Sequence, residues 1–459
     1  MTRPELYPAI FREYDVRGVV GENFGAAEAA EVARAFAEAV FASGGDSICL
    51  GRDGRLSSPE IAQAVGKALV AQGIKVIDVG LGPTPMLYFA VNHLGAGGGI
   101  MITGSHNPPD HNGMKFMLAG GAFYGQQIQA LRTRISETPF QAKAGGNLMV
   151  RDLREEYVAR LLKGIDIAKP LRLGWDAGSG AAGEIMTMVC GRISGEHHLV
   201  NAEIDGTFPA HHPDPTVSAN LKQLIAMVRD NKLDAGIAFD GDGDRLGVVD
   251  GEGEILWGDQ LLMLYSREVL KERPGATIIA DVKASGALFE EIERLGGKPL
   301  MWKTGHSLIK SKMAETGAPL AGEMSGHLFF ADHYYGFDDA IYAALRLVQL
   351  LSQAAGSLAD LRKSLPMRVS TPEIRFACDD ERKFAVINEV KARLSQQKRQ
   401  FDEVDGVRVS HLDGWWLLRA SNTQPMLVAR CESTDPQGLM RLKQDLRNAL
   451  AFSKVSLPE

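Results

Sequence analysis

The segment TGSHNPPDHNGMKF, Thr103 to Phe116, sets several groups suited to anion chemistry at the mouth of an apolar run, AGGGIMI. Gly104 lets the chain turn sharply and present the Ser105 hydroxyl. The pattern is not the GxSxG elbow of hydrolases, because Thr103 and Asn107 stand where that motif has glycines. His106, Asn107 and Lys115 can offer hydrogen bonds or charge to an anion, and Pro108-Pro109 stiffens the loop. A serine in these surroundings is a candidate carrier of a phosphoryl group. An ordinary Asn-Pro turn capped by a serine would explain the prolines and Asn107, but not His106 and Lys115.

DGDGDR, Asp240 to Arg245, lies between two apolar runs that read as strands, LDAGIAF and LGVVD. Three carboxylates at alternate positions, Asp240, Asp242 and Asp244, can converge on one hard cation, and the glycines allow the bends this needs. An acidic surface turn seldom sits between two such runs. An EF-hand would need glycine at the sixth position and glutamate at the twelfth, where Arg245 and Gly251 stand. Three carboxylates leave room for a phosphate oxygen, the usual way of holding Mg2+. A phosphoryl-transfer site therefore fits, with Arg245 suited to a phosphate neighbour.

Two further polar loops are candidates. GEMSGH, Gly322 to His327, carries Glu323, Ser325 and His327, side chains suited to sugar hydroxyls and, for the histidine, to proton transfer. RASNTQP, Arg419 to Pro425, joins two apolar strands and clusters groups able to clamp a phosphate, with arginine as a bidentate donor. Either could equally be a structural loop. GSGAAG, Gly178 to Gly183, matches the GxGxxG of dinucleotide-binding folds, with Glu203 about 20 residues further on. A nicotinamide-dependent oxidoreductase built on it would leave DGDGDR and the serine loop without a role.

Such loops need a scaffold to hold them, and the chain repeats one. Ser47–Gly80 reads as strand, polar turn, helix opened by Ser57 or Ser58 with Pro59 at its first position, then Gly73 and a second strand. Leu171–Cys190 and Ala276–Trp302 read alike, which predicts three α/β units with parallel or mixed sheets. The last fifth differs. EIRFAC is a strand, and Phe384, Ile387, Val390 and Leu394 form a helical stripe. Asp413-Gly414 is a hairpin turn between VRVSHL and WWLLRA, and a final helix follows Asp435-Pro436. KSLPMRVSTPE, Lys363 to Glu373, reads as the linker before this α+β module.

The bulk properties are those of an ordinary soluble globular protein. At 459 residues the chain is too long for one core. A net charge of −7 and the lack of a basic run argue against nucleic acid as a partner. The four cysteines are scattered, so reduced structural thiols are expected. The polar N-terminus and the absence of a long apolar segment predict a cytoplasmic protein that does not enter a membrane.

In this order and at these separations, TGSHNPPDHNGMKF, DGDGDR, GEMSGH and RASNTQP resemble the α-D-phosphohexomutase superfamily. They look most like its bifunctional phosphomannomutase/phosphoglucomutase group. The resemblance runs from FREYDVRG to the C-terminal helix. The glucosamine branch usually shows GEQSGH, and a glycine where Asn422 stands, so phosphoglucosamine mutase is the nearest alternative activity. A phosphotransferase with Asp240 as nucleophile is a more distant one.

The resemblance implies a heart-shaped molecule with a central cleft. Three tandem mixed-sheet α/β domains, at residues 1–150, 151–253 and 254–366, would precede a TATA-binding-protein-like α+β domain at 367–459. It implies reversible phosphoryl transfer between O1 and O6 of mannose or glucose phosphates through a hexose 1,6-bisphosphate. Ser105 would carry the phosphoryl group and, with Asp240, Asp242 and Asp244, bind Mg2+. His106, Lys115, Arg245, His306 and His327 would be catalytic, Lys115 being one candidate acid or base. Tyr14, Arg17, Lys283, Glu323, Ser325 and His327 would contact substrate, and Arg419, Ser421, Asn422 and Thr423 would clamp its non-reacting phosphate. Glucose 1,6-bisphosphate or mannose 1,6-bisphosphate would serve as activator. The partners expected are hexose phosphates, with the protein a monomer or weak dimer. Gln424, Ala284 and Gly286 depart from the usual motifs without touching the chemistry.

Overall fold

A computed structural model describes residues 6–458 apart from 138 and 423. The chain divides into two compact units, one of Met1–Gly258 with Ser325–Leu361, the other of Asp259–Met324 with Arg362–Glu459.

The first unit holds two sheets. In the larger, the strands run Val16–Val19, His111–Leu118, Gly98–Ile102, Ser47–Arg52, Lys75–Leu81, Asn147–Val150. The last four are mutually parallel, while His111–Leu118 is antiparallel to both its neighbours. The expected strand–helix–strand unit is present here: the helix Ser58–Ala71 carries Pro59 in its first turn, and Gly73 sits at φ +84° where the chain reverses. The second sheet runs Ile255–Leu256, Leu246–Asp250, Ala235–Phe239, Leu171–Asp176, Gly195–Val200. Ala235–Phe239 and Leu246–Asp250 are antiparallel and wholly buried, so the DGDGDR turn joins two core strands.

The second unit holds the third strand–helix–strand repeat, Thr277–Asp281, Gly286–Arg294, Lys298–Trp302, with Leu320–Gly322 parallel on the other side. It also holds the C-terminal module, an antiparallel sheet under the helices Asp380–Gln396 and Pro436–Ala451. Asp435 caps the latter by accepting from Gly438 N–H. The hairpin falls at the predicted turn, with Val407–His411 paired to Gly414–Ala420. Two readings need correction. Phe384 is 52 % exposed, and Val386 takes its place beside Ile387, Val390 and Leu394 in the core. The presumed linker contains a short strand, Val369–Ser370, which pairs with Met426–Ser433 and so belongs to the module. A two-residue strand is too short to register beside two prolines.

No helix among the described residues is long and apolar enough to cross a membrane. Burial pushes the thiols of Cys49, Cys190 and Cys431 up to about 12, as expected of inert structural cysteines.

The helix Ala340–Gln353 begins at Asp339, whose Oδ1 accepts from Tyr342 N–H while Oδ2 accepts from the hydroxyls of Tyr157 and Tyr334. Burial outweighs these donors and pushes the Asp339 carboxyl up to about 6. A group raised in the folded state stabilises fully below its unfolded pKa and loses that contribution as pH rises through the folded one. Asp339→Asn keeps a capping oxygen without the charge. Its stability relative to wild type, followed by denaturant unfolding, is expected to rise by ~1–3 kcal/mol between pH 4 and pH 8. A difference that stays flat across that range would mean that burial does not penalise the carboxylate.

Candidate active site

Ser105 stands at the end of the buried strand Gly98–Ile102, in a left-handed backbone conformation with φ +50°. A non-glycine residue there costs of order 1–3 kcal/mol and persists only where its surroundings fix it. What fixes it is Arg55. Its guanidinium donates to the carbonyls of Ser105 (2.7 Å), Asn107 (2.6 Å), Pro108 (2.5 Å) and His111 (3.0 Å), and its Nε donates to Asp53 at 3.2 Å. Asp53 in turn accepts from Gly104 N–H and from the Ser58 hydroxyl. A Cβ on Gly104 would lie 2.5 Å from the Arg55 guanidinium, so the glycine leaves space for the clamp as well as the turn. Thr103 Oγ1 accepts from Ser105 N–H, and Arg17 donates to Asn107 Oδ1 at 2.9 Å. Asn107 thus spends its oxygen on the loop itself.

The metal loop meets the serine loop directly. Ser105 Oγ lies 3.2 Å from Asp240 Oδ2 and 3.2 Å from His106 Nδ1. A Cβ on Gly241 would sit 2.4 Å from the Ser105 carbonyl oxygen, so only glycine permits this approach. Thr84, at the start of the helix Thr84–Leu94, donates its hydroxyl to Asp242 Oδ2 at 2.5 Å and its N–H to the Asp242 carbonyl. Lys115 reaches across from the strand His111–Leu118 to Asp242 (2.7 Å) and Asp244 (2.5 Å). The glycine-rich GSGAAG turn backs this loop: Ala181 N–H donates to the Gly241 carbonyl, and a Cβ on Gly180 would clash with Gly241. Gly180 serves this contact, while Gly178 lies against Pro213 and Gly183 against the Ala202 backbone, so each glycine of the turn has a packing role.

The electrostatics follow from burial. Asp240, Asp242 and Asp244 are all fully buried, and one oxygen from each lies within 4.8 Å of the others. Burial and then the charges of Asp244 and Asp242 push the Asp240 carboxyl well above the ordinary range. Burial acts the same way on Asp242, but Lys115 and the Thr84 hydroxyl outweigh it and hold that carboxyl below its usual value. Burial alone would pull Lys115 down, yet Asp242 and Asp244, with Tyr88 and Asp240, hold its ammonium well above normal. One lysine cannot balance three carboxylates. Asp242 Oδ1 and Asp244 Oδ1 have no hydrogen-bond partner. Both the charge and these oxygens fit a divalent cation held by hard oxygen ligands. The His106 ring is held well below its ordinary pKa by burial and then by Arg245, Arg17 and Lys115, so it is a neutral neighbour of Ser105.

Arg245 donates its Nε–H to His327 Nε2 at 2.9 Å, and its own N–H is fixed by Asp240 Oδ1. Gly326, at φ +89°, brings this stretch onto the metal hairpin: its carbonyl accepts from Leu246 N–H. Ser325 and Tyr14 are half-buried.

The second unit carries the other expected residues. Glu323 accepts from Gly305 N–H at 2.7 Å, just before the helix His306–Thr316, where His306 Nδ1 lies 3.2 Å from Lys310 Nζ. Lys283 is buried and pairs with Glu373 (3.3 Å) and Asp281 (3.6 Å); burial opposes its charge, but these carboxylates and Glu323 raise its pKa. Arg419 is fixed through Nε by Asp405 at 2.9 Å, and the same carboxylate accepts from Thr304 N–H. One aspartate thereby ties Arg419 of RASNTQP to the Thr304-Gly305 turn before His306. Ser421 Oγ accepts from Gln424 N–H, closing the RASNTQP turn around the half-buried Asn422. Thr423 lies outside the described residues. Arg408 donates to the carbonyls of Val282 and Ala284 and lies 3.7 Å over the Trp415 ring, stapling the Lys283 loop to the module. Gly286 donates to Glu432.

Arg55, Thr84, Asp338, Glu373 and Asp405 are absent from the motif-based site. Each stands alone in sequence, far from the group it serves; only the charged RDGR turn after a buried strand hinted at Arg55.

With the geometry in hand, comparison with known proteins is informative. Residues 8–142, 155–253 and 257–369 match the "Phosphoglucomutase/phosphomannomutase, alpha/beta/alpha" domains I, II and III, and residues 373–449 match the C-terminal domain of the same set. The chain is 45 % identical over 455 residues to a phosphomannomutase/phosphoglucomutase of Pseudomonas aeruginosa, covering 99 % of this chain and 98 % of that one. It belongs to the phosphoglucomutase/phosphomannomutase family. A crystal structure of a family protein from Burkholderia thailandensis superposes with a TM-score of 0.93 at 43 % identity, over 99 % of each chain. An Aspergillus fumigatus N-acetylphosphoglucosamine mutase, solved in complex with GlcNAc-6P and magnesium, shares the fold at 14 % identity, with a TM-score of 0.55 over 89 % of this chain and 78 % of that one. The family resemblance and the four-part architecture read from the sequence are thereby borne out.

Arg55→Lys keeps the charge but forfeits the planar fork. It is expected to lower kcat about 100-fold with little change in KM, because a misplaced nucleophile slows chemistry more than binding. Steady-state kinetics beside a thermal melt checks this. A variant with native kcat would mean that the loop holds Ser105 without Arg55.

Proposed function

We propose that this enzyme interconverts the 1- and 6-phosphates of mannose and glucose. The observation that carries the reading is Ser105, fixed in a strained conformation with its hydroxyl 3.2 Å from Asp240 in a buried carboxylate triad. Asp240, Asp242 and Asp244, with an oxygen of the phosphorylated serine, would hold Mg2+, which would neutralise charge on the transferring group.

The chain's own residues do the rest. The Ser105 loop positions the phosphoryl group in line with a sugar hydroxyl. The sugar oxygen forms the new O–P bond, the Ser105 Oγ–P bond breaks, and the hydroxyl proton passes to a base among Lys115, His306 and His327. Phosphoryl transfer asks mainly for positioning and charge compensation, which Lys115, Arg245 and Arg17 provide. The 1,6-bisphosphate then presents its other phosphate to Ser105, and the steps run in reverse. Arg419, Ser421, Asn422 and Thr423 clamp the phosphate that is not reacting. Glu323 and Ser325 grip O3 and O4, which lie near the axis relating the two poses. C2, where mannose and glucose differ, goes unread. Glucose 1,6-bisphosphate primes the serine. The setting for this chemistry is the cytoplasm, with the four segments acting as separate domains along the boundaries read from the sequence.

The test is 31P NMR with glucose 1-phosphate or mannose 1-phosphate, Mg2+ and a trace of glucose 1,6-bisphosphate. Both sugars are expected to give the 6-phosphate, and a chelator is expected to stop both. Turnover of one epimer alone would contradict the unread C2. Release of inorganic phosphate would favour an aspartate-nucleophile phosphotransferase, and turnover of only the glucosamine phosphate would favour the glucosamine branch.

A further inference from the structure

Behind Arg245 lies a buried chain that the motifs do not contain. An arginine Nε carries a hydrogen and no lone pair, so its 2.9 Å bond to His327 Nε2 makes that nitrogen the acceptor. The imidazole proton is therefore on Nδ1. Nδ1 lies at ion-pair distance, 3.1 Å, from Asp338 Oδ2, outside hydrogen-bond angles, and 3.6 Å from Asp244 Oδ1. Asp338 is fully buried and rigidly placed: it bridges Phe329 in β fashion and immediately precedes the Asp339 cap of the helix Ala340–Gln353. His327 is nearly buried and stacks on Phe329. Asp244 faces Lys115, leaving Asp338 as the nearer carboxylate for the ring.

We propose that Asp338 is a positioning residue for phosphoryl transfer, accepting the Nδ1 proton of His327 so that Nε2 can receive Arg245 Nε and hold the guanidinium fork beside the Ser105 loop. The opposite tautomer would place two hydrogens against each other at Nε2 and swing Arg245 away. This is the role a carboxylate plays behind a metal-bound histidine, here serving an arginine. The inference rests on the mutase reading for its catalytic consequence but not for its geometry.

The experiment is performed on the full-length enzyme with 15N-labelled histidine. A proton–nitrogen correlation spectrum reads each ring's tautomer, and the His327 signals are assigned by their loss in His327→Gln. Wild type is expected to show His327 protonated on Nδ1 alone. In Asp338→Ala the ring is expected to become a tautomer mixture, with kcat about 100-fold lower at little changed KM. Asp338→Asn keeps an acceptor oxygen, and is expected to hold the Nδ1–H form and recover kcat to within about tenfold of wild type. A wild-type His327 protonated on Nε2 overturns the proposal, as does an alanine variant with native kcat or one that loses only KM. Equal losses in both variants with an unchanged tautomer overturn it too. Should the alanine variant fail to fold, the wild-type spectrum and the asparagine variant still decide. Should wild type turn over no hexose phosphate, the mutase reading falls while the spectrum still judges the tautomer.

Discussion

Three buried carboxylates sit against Ser105, which on the proposed reading would itself carry a dianion, and the first unit is organised around that conflict. Each ion taken out of water costs several kcal/mol, and like charges within a few ångströms add to it. Lys115 answers part of the charge by pairing with Asp242 and Asp244. Asp240, on the serine side, is left with its carboxyl driven upward by burial and by its two neighbours. A divalent cation would resolve the remainder, and the unbonded Oδ1 atoms of Asp242 and Asp244 mark where it would fit. Arg245 and Arg17 both act on His106, the neighbour of Ser105, and Arg17 bonds to Asn107 of the same loop.

Holding such a site together needs backbone contact closer than side chains allow. Gly104 makes way for Arg55, Gly241 for the Ser105 carbonyl, and Gly180 for Gly241. Arg55 then donates to four carbonyls of the turn, and bonds from a charged donor are worth about 1.5–3 kcal/mol each. The strained φ of Ser105 is sustained by that clamp. In the second unit, Asp405 fixes Arg419 and Arg408 fixes the Lys283 loop in a comparable way.

The three strand–helix–strand repeats, the hairpin at Asp413-Gly414 and the capped last helix were legible because each rests on local periodicity and turn chemistry. The four loops were legible because their chemistry lies in consecutive residues. Asp338, Thr84 and Arg55 were not, because a lone charged or hydroxyl residue acquires its role only when folding brings it to a partner outside its own motif. Phe384 shows the reverse error: helical spacing alone put an exposed ring on a core face that Val386 occupies. GSGAAG matched a fingerprint whose glycines, in this fold, allow close packing against Pro213, Gly241 and Ala202.

The central claim is that Ser105 is the phosphoryl carrier. Intact-mass measurement with peptide mapping, before and after incubation with glucose 1,6-bisphosphate and Mg2+, tests it most directly. The account predicts one added phosphoryl group, located on Ser105. A phosphoryl group found on Asp240, or none on a folded, metal-loaded protein, would contradict it.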